Sequence, residues 1–292
     1  MAADGAGGTC YQDHVCEDAR ESRNPDRNFR PCGQPLGLRT LGLVTDQNLA
    51  VPTALQPWIA QITVATTEPQ LLVLTPDPAT SLVWRVTAAG ESDVLVAGPR
   101  TRAAYHHGKQ LPLCMKLRVR PGLTPPFLGI AADEIVDRVV PLSQLWGSSA
   151  VRLGEELAEL DPTTAVDRLA QRLTRRLPQS TPERADLVRA AVEVLSSTTS
   201  APMRVGEAAG ALGVGERYLR KIFGPAVGVS PKQFAGIARV RKVLAGAEGG
   251  SWSGLAAEAG YYDQSHLVAE FRRLMRVTPG AFAAGRVPTT TC

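Results

Sequence analysis

The sequence predicts an α+β fold: an N-terminal, mostly antiparallel β domain closed by helices, followed by an all-α domain. Three observations carry this reading. Short apolar runs with turn punctuation fill residues 40–120, apolar positions three and four apart take over beyond about 126, and the last third of the chain repeats itself. A length of 292 residues suits two ordinary domains plus a linker or tail. An apolar fraction of 44% and a charged fraction of 21% are those of a chain that buries real cores.

Several classes are excluded at once. No apolar stretch approaches the roughly 20 residues of a membrane span, so no membrane partner is expected. The start, Met1-Ala2-Ala3-Asp4, lacks both a basic region and an apolar core, so no signal peptide is expected. The five cysteines (Cys10, Cys16, Cys32, Cys114, Cys292) are odd in number and scattered, which points to a reduced, cytoplasmic protein rather than a disulfide scaffold.

Residues 1–35 are rich in Gly, Asp, Arg and Asn and read as a flexible tail. Within it Cys10, His14, Cys16 and Cys32 are spaced C-x3-H-x-C and then a gap of fifteen, which matches no common zinc template. No metal and no cofactor are therefore expected. Residues 36–178 form the β-rich domain with its closing helices. Strands are expected at Leu71-Leu72-Val73-Leu74, Ser81 to Val86, Val94 to Ala97 and Cys114 to Val119, each bounded by Pro, Gly or Asp. This spacing suits an antiparallel sheet or small barrel. Helices are expected from Trp146 to Leu160 and from Ala165 to Leu177. Leu177 to Pro182 breaks the pattern, and residues 179–184 read as an inter-domain linker. A further helix runs from Pro182 to Leu195.

The C-terminal third is a duplication. At an offset of 47, Val205 meets Trp252, Ala208 meets Leu255, Ala209 meets Ala256 and Gly213 meets Gly260. After one inserted residue the offset is 48: Leu219 meets Leu267, Phe223 meets Phe271, Ser230 meets Thr278, Pro231 meets Pro279 and Phe234 meets Phe282. In each unit a short helix with small residues runs into a glycine and then into a second helix. Asp263 is a good N-cap for that helix in the second unit, and Gly215 is a weaker one in the first. This is the grammar of a helix-turn-helix. Between the units, Pro231 to Leu244 reads as one helix, a rigid spacer of roughly 24 Å. Such a spacer can hold two reading helices near the ~34 Å separation of successive major-groove faces.

Charge follows the same division. Residues 201–292 carry twelve Lys/Arg against six Asp/Glu, a net +6 that leaves −2 on the first 200 residues of a chain with net charge +4. In the first unit the predicted exposed positions are Arg217, Arg220 and Lys221; in the second they are Gln264, Ser265 and His266, then Arg272 and Arg273. Arginine donates two parallel hydrogen bonds to guanine in the major groove, and two such clusters at equivalent places of a duplicated motif point to double-stranded DNA.

Ala208-Ala209-x3-Gly213-Val214, Arg217-Tyr218-Leu219-x3-Phe223 and Gly228-Val229-Ser230-Pro231 resemble the AraC/XylS family of bacterial transcription regulators. So does the stretch Ala259-Gly260-Tyr261-Tyr262-Asp263-Gln264-Ser265-His266-Leu267-x3-Phe271, closing with Val277-Thr278-Pro279. The resemblance covers about 185–286 and implies a seven-helix domain with two helix-turn-helix units that bind one face of promoter DNA, usually in activators. It implies base contacts at Arg217, Arg220 and Lys221 and at Gln264, Ser265 and His266. Ala269 occupies a position where many members are basic, so the first unit is expected to supply most specificity and Arg272 and Arg273 mainly phosphate contacts. More loosely, Leu55-x-Pro57-Trp58, Leu74-Thr75-Pro76-Asp77 and Asp137 to Trp146 resemble an uncharacterised sensor-type domain of some members.

The expected protein is thus a sequence-specific transcription regulator, not an enzyme. Its N-terminal domain is expected to sense a small molecule or mediate homodimerisation, and RNA polymerase is an expected partner. Residues 287–292 read as a short tail. The rival readings are enzymatic. In a cupin-like barrel His106-His107 could ligate metal, but no Glu or third His lies nearby in sequence. A DNA-alkylation response protein would need paired cysteine ligands, which the sequence lacks. Trp58, Trp84 and Trp146 read as barrel core.

Overall fold

Alternating apolar residues build the first domain around two antiparallel sheets. The computed structural model describes residues 47–67, 71–178, 183–197, 203–247 and 251–288, so the predicted tail 1–35 with Cys10, His14, Cys16 and Cys32 lies outside the described residues. The larger sheet has the order β1 (Gln47–Leu49), β2 (Ile59–Thr67), β7 (Leu111–Val119), β4 (Ser81–Val86), β5 (Ser92–Ala97), β8 (Val139–Pro141), every neighbour antiparallel. Its register sets Leu49, Ile62, Leu117, Leu82, Val96 and Val140 in one row across all six strands. A second row holds Val64, Met115, Trp84 and Val94. Both rows lie on the face that forms the core. The expected strands are all present; β1, β2, β6 and β8 are additional.

Helices cover that face. α1 (Thr124–Leu128) and α2 (Leu142–Trp146) are single turns, and α3 (Ser148–Ala158) and α4 (Pro162–Thr174) bury Leu153, Leu157, Leu169 and Leu173 against the sheet. The helix expected from Trp146 to Leu160 instead begins after Gly147, whose φ of 59° and ψ of −144° break it from α2. Asp161 caps α4 by accepting from the amides of Thr163 and Thr164 at 3.0 and 3.2 Å. Trp58 and Trp84 are core residues, as expected. The Trp84 indole donates to Ser92, which donates onward to the Gly154 carbonyl, so the ring is buried without an unpaired polar atom. Trp146 is half-buried beneath the Arg176 guanidinium, 4.3 Å from the ring centre.

The second sheet is a two-stranded ribbon, β3 (Leu71–Leu74) with β6 (Ala104–His107). It packs against the helical domain, which comprises α5 (Glu183–Ser196), α6 (Val205–Ala211), α7 (Glu216–Val227), α8 (Pro231–Gly246), α9 (Trp252–Glu258), α10 (Gln264–Met275) and α11 (Pro279–Ala283). Two seams join the domains. At the first, the end of α7 meets the 3-10 turn Ala132–Ile135. A Cβ on Gly228 would sit 2.7 Å from Pro99 and 3.0 Å from the Ala132 carbonyl oxygen, so only glycine permits this approach. At the second, the ribbon lies on α8 and α10.

Asp77, just after β3, anchors the second seam. It accepts two hydrogen bonds from Arg118 of β7, at 3.0 and 2.7 Å, and pairs with Arg241 of α8 at 3.4 Å. Burial alone would raise its carboxyl. The Arg118 hydrogen bonds and the charges of Arg118, Arg241 and Lys116 outweigh that and hold it down at about 2. Lys116 is displaced in the opposite sense to its usual basicity: burial and the nearby Arg100, Arg118 and Arg241 lower it, and Asp77 opposes them.

Candidate nucleic-acid interface

Two helix pairs of one design carry the predicted site. In the first pair α6 ends at Gly213, with φ of 68°; in the second α9 ends at Gly260, with φ of 77°. That left-handed backbone is open to glycine at little cost. It lets the amides of Val214 and Tyr261 reach back to the carbonyls of Ala209 and Ala256, at 3.0 and 2.8 Å, and so close each helix. Buried Ala208, Ala209 and Ala256 have no bulk to hold the helices of a pair apart. The matching continues into the third helix of each unit. Ser230 caps α8 and Thr278 caps α11, each accepting from the amide three residues on at 3.2 Å, with proline at the first helical position.

The second helix of each pair divides into two faces. Leu219, Ile222 and Phe223 of α7, and Leu267, Phe271 and Leu274 of α10, are buried at spacings of three and four. The polar positions predicted for the site point outward. Arg217, Arg220 and Lys221 are exposed together on the first half of α7, and Gln264, Ser265 and His266 on the first turn of α10. Arg272 and Arg273 are exposed two turns further on, in the last turn of α10, where their charge also complements the negative helix end.

The cations differ in their commitments. Arg220 donates to one oxygen of Glu216, one turn back, at 2.9 and 2.5 Å. Among the described residues Arg217 and Lys221 pair with no carboxylate. Arg273 leans on Glu270 at 3.3 Å, and Glu270 is already gripped by Arg239 of α8 at 2.8 Å. At the head of α10, Asp263 accepts from the His266 amide at 2.7 Å, and the His266 ring meets the edge of Tyr261 at 5.3 Å. Both backbone and ring of His266 are thereby positioned.

Two aromatic residues beside these faces were not singled out by the sequence. Tyr218 is 44% exposed and Tyr262 94% exposed, among the few large apolar side chains so presented. The signal for Tyr262 was the register change of the repeat. With Gly213 opposite Gly260 and Gly215 opposite Asp263, Tyr262 is the inserted residue, and an insertion between two matched helices can only bulge outward. His106, of the predicted His106-His107 pair, is half-buried in β6, and burial with the charges of Arg100 and His107 holds it below the usual imidazole range. Among the described residues no three His, Cys, Asp or Glu side chains gather as metal ligands, and no helix is long and apolar enough to cross a membrane.

Comparison with known proteins agrees with this geometry for the helical domain. Residues 208–285 match the family described as a helix-turn-helix domain. That stretch includes α7, α8, α9, α10 and α11 whole, and the matching model is of a helix-turn-helix of the AraC type. No curated protein matches the chain. Among solved structures, a DNA-binding transcriptional dual regulator from Escherichia coli K-12 is similar at 19% identity, over 34% of this chain and 91% of that one, with a TM-score of 0.31. The DNA-binding domain of AdpA, solved with a target DNA, is similar at 22% identity over 36% and 93% of the two chains, TM-score 0.31. ToxT from Vibrio cholerae O395 is similar at 10% identity over 76% and 96%, TM-score 0.43.

Proposed function

We propose that the protein is a cytoplasmic, sequence-specific transcription regulator, not an enzyme, whose two helix-turn-helix units, within residues 185–286, enter successive major grooves of promoter DNA. The observation that carries this reading is the pairing of faces. Two matched second helices each bury one apolar stripe and present a polar one, cationic along α7 and at the end of α10, and Arg217 and Lys221 of the first engage no carboxylate among the described residues. A cationic side chain held by the scaffold but unmatched by it is poised for an anionic or acceptor-rich partner. The first unit reads bases through Arg217, Arg220 and Lys221; the second adds Gln264, Ser265 and His266, with Arg272 and Arg273 on phosphates. The resemblance to a family of activators supports recruitment of RNA polymerase. Selection of binding sites from random duplex DNA by the full chain tests the reading. A selected site bound at least about 10³-fold more tightly than random duplex at one fixed salt concentration is the expected result; equal affinity would overturn it.

The domain of residues 36–178 senses a small molecule or mediates homodimerisation. A half-buried cluster of cations favours an anionic small molecule: Lys116, Arg118 and Arg241 repel one another around the carboxylate of Asp77. An anion bound there would relieve that repulsion and stabilise the folded chain increasingly as its free concentration exceeds its Kd. Thermal melting with small carboxylates and phosphate esters, alongside light scattering, separates the two roles. A rise in melting temperature with an anion supports sensing; a dimer that melts alike with every anion supports assembly.

A further inference from the structure

The two helix pairs share one design but close their cores differently. In the first, Ala208, Leu219, Ile222, Phe223 and Val227 pack on Val188, Ala191 and Leu195 of α5, so the helical domain completes this unit from its own residues. In the second, α8 stands where α5 stands in the first, with Ile237, Val240 and Val243 in the core, but it does not close that core alone. Leu267, Phe271, Leu274 and Met275 pack also with Ala103 and Tyr105, with Leu71 and Val73 of the ribbon against the same cluster. These four residues belong to the N-terminal domain.

Hydrogen bonds reinforce the asymmetry. The last carbonyls of a helix have no partner within it. On α10 two of them are taken by the ribbon segment: the Ala103 amide donates to the Leu274 carbonyl at 2.8 Å, and the buried Tyr105 hydroxyl donates to the Met275 carbonyl at 2.5 Å. Arg241 of α8 also donates to the Pro76 carbonyl at 3.2 Å and pairs with Asp77. At the end of α7 the N-terminal domain approaches Gly228 by packing, and among the described residues it donates no hydrogen bond to the α7 carbonyls.

We infer that the β3–β6 ribbon is a structural part of the second helix pair, and that Tyr105 is the positioning residue through which this ribbon sets α10 and not α7. A change in the N-terminal domain that shifts the ribbon then alters one reading helix and not the other. The coupling itself is mechanical. Its consequence for DNA rests on the function proposed above.

Hydrogen exchange read by mass spectrometry on the full chain tests the coupling without DNA. Tyr105→Phe removes the hydroxyl and keeps the ring. Exchange across residues 264–275 is expected to quicken by about 2- to 10-fold, the span of one net hydrogen bond, with residues 216–227 unchanged. Equal change in both helices, or none in either, would overturn the inference. Asp77→Asn, which weakens the Arg241 pair outside the apolar core, is expected to act on the same side, and a change confined to α7 would equally defeat it. Hydroxyl-radical footprints on a selected site extend the test. Tyr105→Phe is expected to weaken protection over one half-site only, the one lost in His266→Ala, and uniform weakening would refute the coupling. A wild-type chain that protects no site would defeat the DNA reading, and the exchange data would still decide the coupling.

Discussion

Arg220 meets its proposed partner already tied to Glu216, whereas Arg217 and Lys221 do not. A guanidinium pre-aligned by a carboxylate loses less freedom on binding, at the expense of breaking or sharing that pair, which is exposed and so worth little by itself. Arg220→Ala is expected to cost about 1–3 kcal/mol of discrimination between the selected site and random duplex. Competition binding at one salt concentration checks this, and equal loss on both DNAs would remove the residue from base reading. Arg272→Ala is expected to lower the slope of log affinity against log salt by about one. Arg273→Ala is expected to lower it less, because Glu270 already draws on its charge. For Tyr262, truncation to Ala should change stability by less than about 0.5 kcal/mol, since the ring touches mostly solvent. Reduced DNA affinity at unchanged stability would place it in the interface, and unchanged affinity would leave it a bulge. The cationic positions were legible in the sequence because apolar spacing dictates which side of a helix is outward. The pairs Arg220–Glu216 and Arg273–Glu270 follow from spacings of four and three on one helix, but the hold of Arg239 on Glu270 was not legible, because it forms only once α8 and α10 have docked.

Helix ends differ between the two units in a way that stability measurements can read. The α10 N-cap is Asp263, with a hydrogen bond to His266; the α7 N-cap is Gly215, with no side chain to offer. Asp263→Ala is expected to destabilise the chain by about 1 kcal/mol in denaturant unfolding. A cost near zero would mean that the docked helix no longer needs its cap. The duplication made these elements legible in order, down to Pro231 and Pro279 each opening a helix. Strands were less legible. β1, β6 and β8 span three or four residues, too few to display a period. β2 was hidden because its second face is polar: Gln61 and Thr63 lie opposite Arg118 and Lys116, so apolar content alone marks only half of it.

Across the whole molecule, Asp77 makes the second seam a function of pH. Its folded-state carboxyl is held at about 2, below the ordinary value of 3.8. The stabilisation is therefore complete above the unfolded value and is lost as pH falls from about 3.8 towards about 2. Acid titration followed by exchange of α8 and α10 should show the ribbon contacts loosening in that window. Asp77→Asn should be looser at neutral pH and flatter through the window; an unaltered profile would assign the acid response to other carboxylates. None of this seam was visible in the sequence. Tyr105 and Met275 stand 170 positions apart, and no local period relates them.

The ribbon's share in the second core also bears on engineering. A chimaera that moves α5 to α11 onto a foreign sensor would carry one reading unit intact. The other would keep its packing on α8 but lose the cover that Leu71, Val73, Ala103 and Tyr105 supply, leaving an apolar surface that invites self-association. A successful graft would bring strands β3 and β6 along, or repaint that surface with polar residues. The useful cutting point in this chain is thus not the stretch between its domains.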